Sequence, residues 1–197
     1  IYKFVARGKD WAKMVSDGNG NYDYLMYSDL DMNDEDVRTE LSRWAEWFLA
    51  FTEMDGFRLD AVKHIQYSFF RDWLGYLRKV TGKPLFTVCE YWEPYNIQAL
   101  HNYIAATGGA VALFDAPLHR NFYEASRAAG NYDMRRILDN TLMKDQPALA
   151  VTLVDNHDTQ PLQSLESWVD FWFRPLAYAI ILLRAEGYPC VFDPDLD

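Results

Sequence analysis

From about Asp36 onward, short apolar runs alternate with stretches whose apolar residues recur at helical spacing. That alternation is the pattern of βα units around a parallel sheet. Val37, Leu41, Trp44 and Phe48 share a helical face, so a helix is predicted over Val37–Leu49, with Asn33, Asp34, Glu35 and Asp36 offering caps and negative charge at its start. Asp55-Gly56 turns the chain into a predicted strand, Phe57–Val62. A helix over Ser68–Val80 is ended by Gly82 and followed by Pro84. A strand over Leu85–Glu90 comes next, then a helix over Ile97–Ile104 that stops before Gly108-Gly109, and a strand over Ala110–Phe114. The pattern closes with a helix over Met134–Leu142, a strand over Ala148–Val154, a helix over Pro175–Ala185 and a strand opening at Cys190–Phe192.

Strand starts near 57, 85, 110, 149 and 190 repeat at roughly 30 residues, close to the ~31 that a typical ~250-residue eight-stranded barrel gives. Five strands cannot close such a barrel. The expected fold is therefore a partial TIM (β/α)8 barrel of the α/β class, about strands four to eight, occupying residues 36–197. Residues 1–35, rich in Gly, Asn, Asp and Tyr, follow neither period and read as an irregular excursion. A doubly wound open sheet would give a similar string, but it would gather its ligand at one switch point instead of placing carboxylates after several strands.

Half of the 197 residues are apolar and 16% are aromatic, which is ample for a filled core. The net charge of -10, from 29 acidic against 19 basic residues, disfavours nucleic acid and anionic membrane surfaces as partners. The longest apolar run, Leu176 to Leu183, is far short of the roughly 20 residues that span a bilayer. Cys89 and Cys190 stand in apolar surroundings and are expected to be buried thiols. The chain opens without an initiator Met or a leader, so it is expected to be an internal piece, inactive alone, whose compartment is unreadable.

Within the first predicted strand, Arg58 and Asp60 are two apart and point to one side, while Phe57, Leu59 and Ala61 face the other. In a parallel barrel the apolar side packs on helices, which leaves a buried Arg58–Asp60 pair at the C-terminal rim, where barrel active sites lie. A nearby cation would hold Asp60 ionised, as a nucleophile requires. Taken alone, the pair also fits a structural salt bridge. Glu90 ends the run Thr87-Val88-Cys89-Glu90-Tyr91-Trp92, where apolar neighbours and other carboxylates would raise its pKa and keep a proton available for donation. By itself it also fits a capping or surface Glu. Asp158 closes the polar cluster Val154-Asp155-Asn156-His157-Asp158 after an apolar strand. Three carboxylates from three strand ends on one rim are the equipment of a retaining glycosidase, whose nucleophile and acid/base lie about 5–5.5 Å apart. Asp23, Asp29 and Asp31 form an oxygen-rich cluster in the irregular segment, which suits calcium or plain solvated charge.

Gly56-Phe57-Arg58-Leu59-Asp60-Ala61-Val62-Lys63-His64, Glu90-Tyr91-Trp92 and Asn156-His157-Asp158 resemble the fourth-, fifth- and seventh-strand motifs of the α-amylase family, glycoside hydrolase family 13. Tyr22-Asp23-Tyr24-Leu25-Met26-Tyr27-Ser28-Asp29-Leu30-Asp31 and Asp158-Thr159-Gln160-Pro161 are similar to its liquefying and cytoplasmic subgroup. The resemblance implies Asp60 as nucleophile, Glu90 as acid/base and Asp158 as the carboxylate that grips sugar hydroxyls. It also implies sugar contacts for Arg58 and His157 on the glycone side, and for Lys63, His64 and Trp92 on the aglycone side. It further implies that residues 1–35 are the end of an irregular inserted calcium-binding domain, with a structural calcium held by Asp23, Asp29 and the His64 carbonyl and Asp31 nearby. Asn33 stands where multi-metal relatives offer an Asp. The implied activity is endo-hydrolysis of α-1,4 bonds in starch- or glycogen-type glucans by a protein that is monomeric at full length. Alternatives are a relative acting on α-1,6 bonds, a glucanotransferase, or a non-catalytic family member. The third-strand motif is absent, Cys89 replaces a usual Ala, and Asp193 and Asp197 stand where aromatics are common.

Overall fold

The computed structural model describes Leu30 and residues 32–196. Asp23, Asp29 and Asp31, and with them nearly all of the predicted inserted segment, lie outside the described residues. The chain divides into two compact units. One runs to Tyr91 and takes in Asn102–Val111; the other comprises Trp92–His101 and the chain from Ala112 onward.

The first unit opens with α1 (Glu35–Thr52), which starts where it does because the Asp34 carboxylate accepts the N–H groups of Asp36 and Val37 at 2.9 and 3.2 Å. Its buried residues are Val37, Ala45 and Leu49, a face rotated from the predicted one. Trp44 stays exposed and stacks on Phe48 with ring centroids 5.1 Å apart, and Trp47 stacks on Phe51 at 5.5 Å. These aromatics pair along the helix at i, i+4, which leaves small Ala45 to make the close approach to the core.

Strand β1 (Gly56–Leu59) pairs in parallel with β2 (Phe86–Cys89), Gly56 opposite Phe86. A Cβ at Gly56 would sit 1.8 Å from the Phe86 carbonyl oxygen, so only glycine fits that register. Both strands stop earlier than predicted. Ala61 takes a left-handed backbone, φ +46°, and turns Val62–His64 into a 3-10 helix, so Asp60 stands just past the strand end. Helix α2 (Tyr67–Thr81) buries Phe69, Phe70, Trp73, Leu74 and Leu77, and the Phe57 ring meets Trp73 at 5.3 Å. The apolar side of β1 thus packs on its helix, as expected. Gly82, at φ +67°, caps α2 by donating to the Arg78 carbonyl at 3.0 Å.

Helix α3 (Ile97–Ala106) leads to β3 (Ala112–Phe114). In the second unit β3, β4 (Ala150–Leu153) and β5 (Tyr188–Cys190) run parallel in that order. The predicted helix over Met134–Leu142 does not form. The long helix after β3 is α4 (Ala116–Arg127), begun by Asp115, whose side chain accepts the Leu118 N–H at 3.1 Å, with Pro117 in the first turn. Residues 134–136 make only a 3-10 turn, Asn140 adopts φ +55°, and a four-residue helix α5 (Leu142–Asp145) follows. Helix α6 (Arg174–Leu183) completes the unit. Leu118, Phe122, Met143, Val154, Phe173 and Ile181 are among the residues of its buried core.

Both cysteines are free, but only Cys89 is buried. Cys190, on β5, is exposed, against the expectation for both thiols. Among the described residues no helix is long and apolar enough to cross a membrane.

Candidate active site

Asp60 and Glu90 are brought together in the first unit by the β1–β2 register. The Glu90 N–H donates to the Leu59 carbonyl at 2.8 Å, and the Val62 N–H to the Glu90 carbonyl at 3.2 Å. The two chain ends therefore leave the sheet side by side. Arg58 spans both carboxylates: one guanidinium nitrogen donates to Asp60 Oδ1, the other to Glu90 Oε2 at 3.0 Å. The Ala61 N–H, aimed by that residue's left-handed backbone, donates to the same Glu90 oxygen at 3.2 Å. Burial raises the Glu90 carboxyl above its ordinary range, and a hydrogen bond with Asp60 raises it further, against the opposing pull of the Ala61 N–H and Arg58.

The expected burial holds for Glu90 and fails for its partners. The Glu90 side chain is 11% exposed, whereas Arg58 is 36% and Asp60 69% exposed. The inward faces of barrel strands are covered by the other strands of the ring, and five strands do not supply that cover. Lys63 and His64 sit half-buried on the 3-10 turn that follows Asp60.

His157 and Asp158 belong to the second unit, in the turn after β4, where His157 Nε2 lies 3.3 Å from Asp158 Oδ2. Asn156 shapes that turn. Its Oδ1 accepts the N–H groups of Asp158 and Thr159, both at 2.9 Å, and Thr159 Oγ1 accepts the Asn156 N–H at 2.9 Å. Trp92, also in this unit, lies with its ring 5.5 Å from that of His119 on a cavity of about 490 Å³ that Tyr95, Arg120 and Glu166 also line.

Three buried polar residues carry this turn and its surroundings without having been picked out by pattern. Asp155 accepts from Thr159 Oγ1 at 3.0 Å and from the Val169 N–H at 3.2 Å, and burial pushes its carboxyl up to about 7. Asp115 caps α4 and also accepts the Met143 N–H at 2.7 Å; burial pushes it up to about 6. His119 is about 1% exposed. The Asp115-Ala116-Pro117 sequence is a helix-start signature that would have located the α4 cap; nothing local marks His119. Among the described residues no three His, Cys, Asp or Glu side chains converge as a metal site.

No protein-family model matches the chain. It is 64% identical over 195 residues to an alpha-amylase of Geobacillus stearothermophilus, an alignment that takes in 99% of this chain and 35% of that relative. This sequence belongs to the α-amylase family. Against an alpha-amylase of Bacillus licheniformis the identity is 54% over 196 residues, all of this chain and 38% of the relative. The chain thus spans little more than a third of the length of these relatives. Its fold matches the crystal structure of alpha-amylase from Geobacillus thermoleovorans complexed with acarbose, with a TM-score of 0.67 and 25% identity over 85% of this chain and 38% of that one. The parallel βα repeats are those of a partial TIM barrel within this family.

Proposed function

We propose that the whole protein is a retaining endo-hydrolase of α-1,4 bonds in starch- or glycogen-type glucans. The observation that carries this reading is the corner at Arg58: an acid with a raised pKa, Glu90, beside a second carboxylate, Asp60, at adjoining ends of parallel strands. Two carboxylates in such different surroundings divide the chemistry between them. Asp60, receiving a charged hydrogen bond from Arg58, attacks the anomeric carbon while Glu90 gives its proton to the departing glycosidic oxygen. The ester formed on Asp60 is then cleaved by water, whose proton returns to Glu90. Asp158 and His157 hold hydroxyls of the sugar at the point of cleavage; Lys63, His64 and Trp92 meet the leaving chain.

The names of the relatives support the α-1,4 assignment over action on α-1,6 bonds or glucosyl transfer. The deciding assay compares reducing ends released from soluble starch and from pullulan. Release from starch with an early fall in viscosity fits this reading. Cleavage of pullulan alone, or glucosyl transfer without net release, would overturn it.

A calcium ion fits the same reading. Asp23, Asp29 and the His64 carbonyl would hold it, with Asp31 adjacent, and bound there it would brace the turn behind Asp60 structurally. Hard carboxylate and carbonyl oxygens suit that ion. The protein is expected to melt lower in excess chelator, because a ligand bound only by the folded state stabilises it. An unchanged melting curve, with metal analysis showing no calcium, would remove the site.

A further inference from the structure

His119 lies in the first turns of α4, buried, and its ring reaches two separate stretches of chain. Nδ1 is 2.6 Å from the Val154 carbonyl oxygen and Nε2 is 2.8 Å from Ser167 Oγ. These contacts mark the two ends of one loop. Val154 directly follows β4, and Ser167 closes the loop by donating its own N–H to the Thr159 carbonyl at 2.9 Å. Leu165 does the same to the carbonyl of Asp158, at 3.2 Å. Between the two ends stand His157 and Asp158.

The chemistry of the contacts fixes their direction. A carbonyl oxygen only accepts, so Nδ1 carries the ring proton. Burial pushes the imidazole down to about 4, so near neutral pH the ring is uncharged and Nε2 accepts from the Ser167 hydroxyl. The Leu165 carbonyl, 2.8 Å from Ser167 Oγ, is the competing acceptor. Asp155 Oδ1 lies 4.0 Å from Nδ1, with Arg174 a further 3.9 Å from that carboxylate. A neutral ring is therefore a clip with one donor and one acceptor, each used on a different end of the loop.

We infer that His119 and Ser167 are positioning residues that clip the loop shut and so hold Asp158 at the sugar, touching no reacting atom themselves. The inference rests on the proposed role of Asp158. A displacement of about 1 Å in a group that grips the transition state costs on the order of a hundredfold in rate. A loop tied at both ends to a buried ring is protected against such drift. The Trp92 ring, 5.5 Å from the same imidazole, is seated by the same side chain.

The test is made in the whole protein on soluble starch. Ser167→Ala removes the hydroxyl and leaves the ring and its Val154 bond in place. It is expected to lower kcat about tenfold with KM changed less than about twofold, with little loss of melting temperature and with activity returned by Ser167→Thr. His119→Asn, which keeps a donor near the Nδ1 position and loses the Ser167 contact, should match it, and the double variant should be no slower than His119→Asn alone. Asp158→Asn is the control that separates the two ideas. If Asp158→Asn abolishes turnover while Ser167→Ala keeps kcat within about twofold, the clip is wrong. The clip is equally overturned if kcat falls only in step with melting temperature and Ser167→Thr restores neither. If Asp158→Asn itself turns over normally, the role of Asp158 falls and the clip with it.

Discussion

The carboxylate corner between β1 and β2 and the turn after β4 solve the same problem, holding an acidic side chain still, by opposite means. At the corner the restraint is charge: one guanidinium spans Asp60 and Glu90. In the turn the backbone is fixed by hydrogen bonds: Asn156 Oδ1 accepts the N–H groups of Asp158 and Thr159, and buried Asp155 accepts the Thr159 hydroxyl, while the Asp158 carboxylate itself meets the His157 ring. A cation shared between two carboxylates chiefly tunes their protonation, because it favours the ionised form of each against the burial that favours the neutral one. Buried hydrogen bonds hold position firmly, because leaving one unmade is costly. On the proposed roles, the corner sets the protonation of two carboxylates and the turn places a third.

Replacing the acid tests that division most severely. Glu90→Gln keeps the shape and one acceptor for the Ala61 N–H but cannot donate a carboxyl proton. Turnover on starch is expected to fall by at least the roughly 10²–10⁴-fold typical of losing a general acid, with glucan binding nearly intact. Hydrolysis within a few-fold of the parent would remove Glu90 from the chemistry. Arg58→Lys probes the bridge more gently. A lysine ammonium is a point charge that cannot reach both carboxylates as the planar fork does. Losing one charged hydrogen bond costs about 1.5–3 kcal/mol, roughly ten- to a hundredfold in turnover. Assay over pH checks the cause. The limb assigned to Glu90 should move when Arg58 is changed and stay put in Ser167→Ala.

Much of this was legible in the sequence. The period of βα units, the alternation that put Phe57 on α2 and Arg58 on the other side, and the strand-end positions of Asp60, Glu90 and Asp158 follow from spacing alone. The failures have physical causes. The helix expected over Met134–Leu142 had suitable spacing, but the chain there makes only a 3-10 turn, whereas Asp115 and Pro117 fix α4 by hydrogen bonding and backbone geometry that an apolar pattern does not register. Aromatic stacking along α1 turned Trp44 outward and Ala45 inward. The end of β1 was misplaced because Ala61 leaves the extended region, which no propensity for alanine foretells. His119, Asp155 and Asp115 were missed for a common reason. Asp115 and Asp155 each have one near partner, the Leu118 N–H and the Thr159 hydroxyl, but their further partners Met143 and Val169, and both partners of His119, come from segments that only the folded chain brings together.

The smallest expected effect sharpens the contrast between the two regions through stability instead of rate. Asp155 is 2% exposed, and burial pushes its carboxyl up to about 7, against the Thr159 hydroxyl, the Val169 N–H and Arg174, with Asp195 adding to the rise. An unfolded aspartate titrates near 3.9, so between about pH 4 and pH 7 the folded state binds more proton than the unfolded one. Stability contributed by this group is then present at the acid end and lost as pH rises through that window. An amide is neutral throughout, so Asp155→Asn removes the titration whatever fixed cost it carries from facing the Val169 N–H with an amide. The melting temperature of the variant minus that of the parent is therefore expected to climb from about pH 4.5 to about pH 7.5. Glu90→Gln should show a shallower climb, because the rise that burial and Asp60 impose on Glu90 is opposed by the Ala61 N–H and Arg58. A flat difference for Asp155→Asn would mean that its carboxylate is ionised in the fold at acid pH, held by Arg174, and that the turn after β4 is restrained by charge much as the Asp60 corner is.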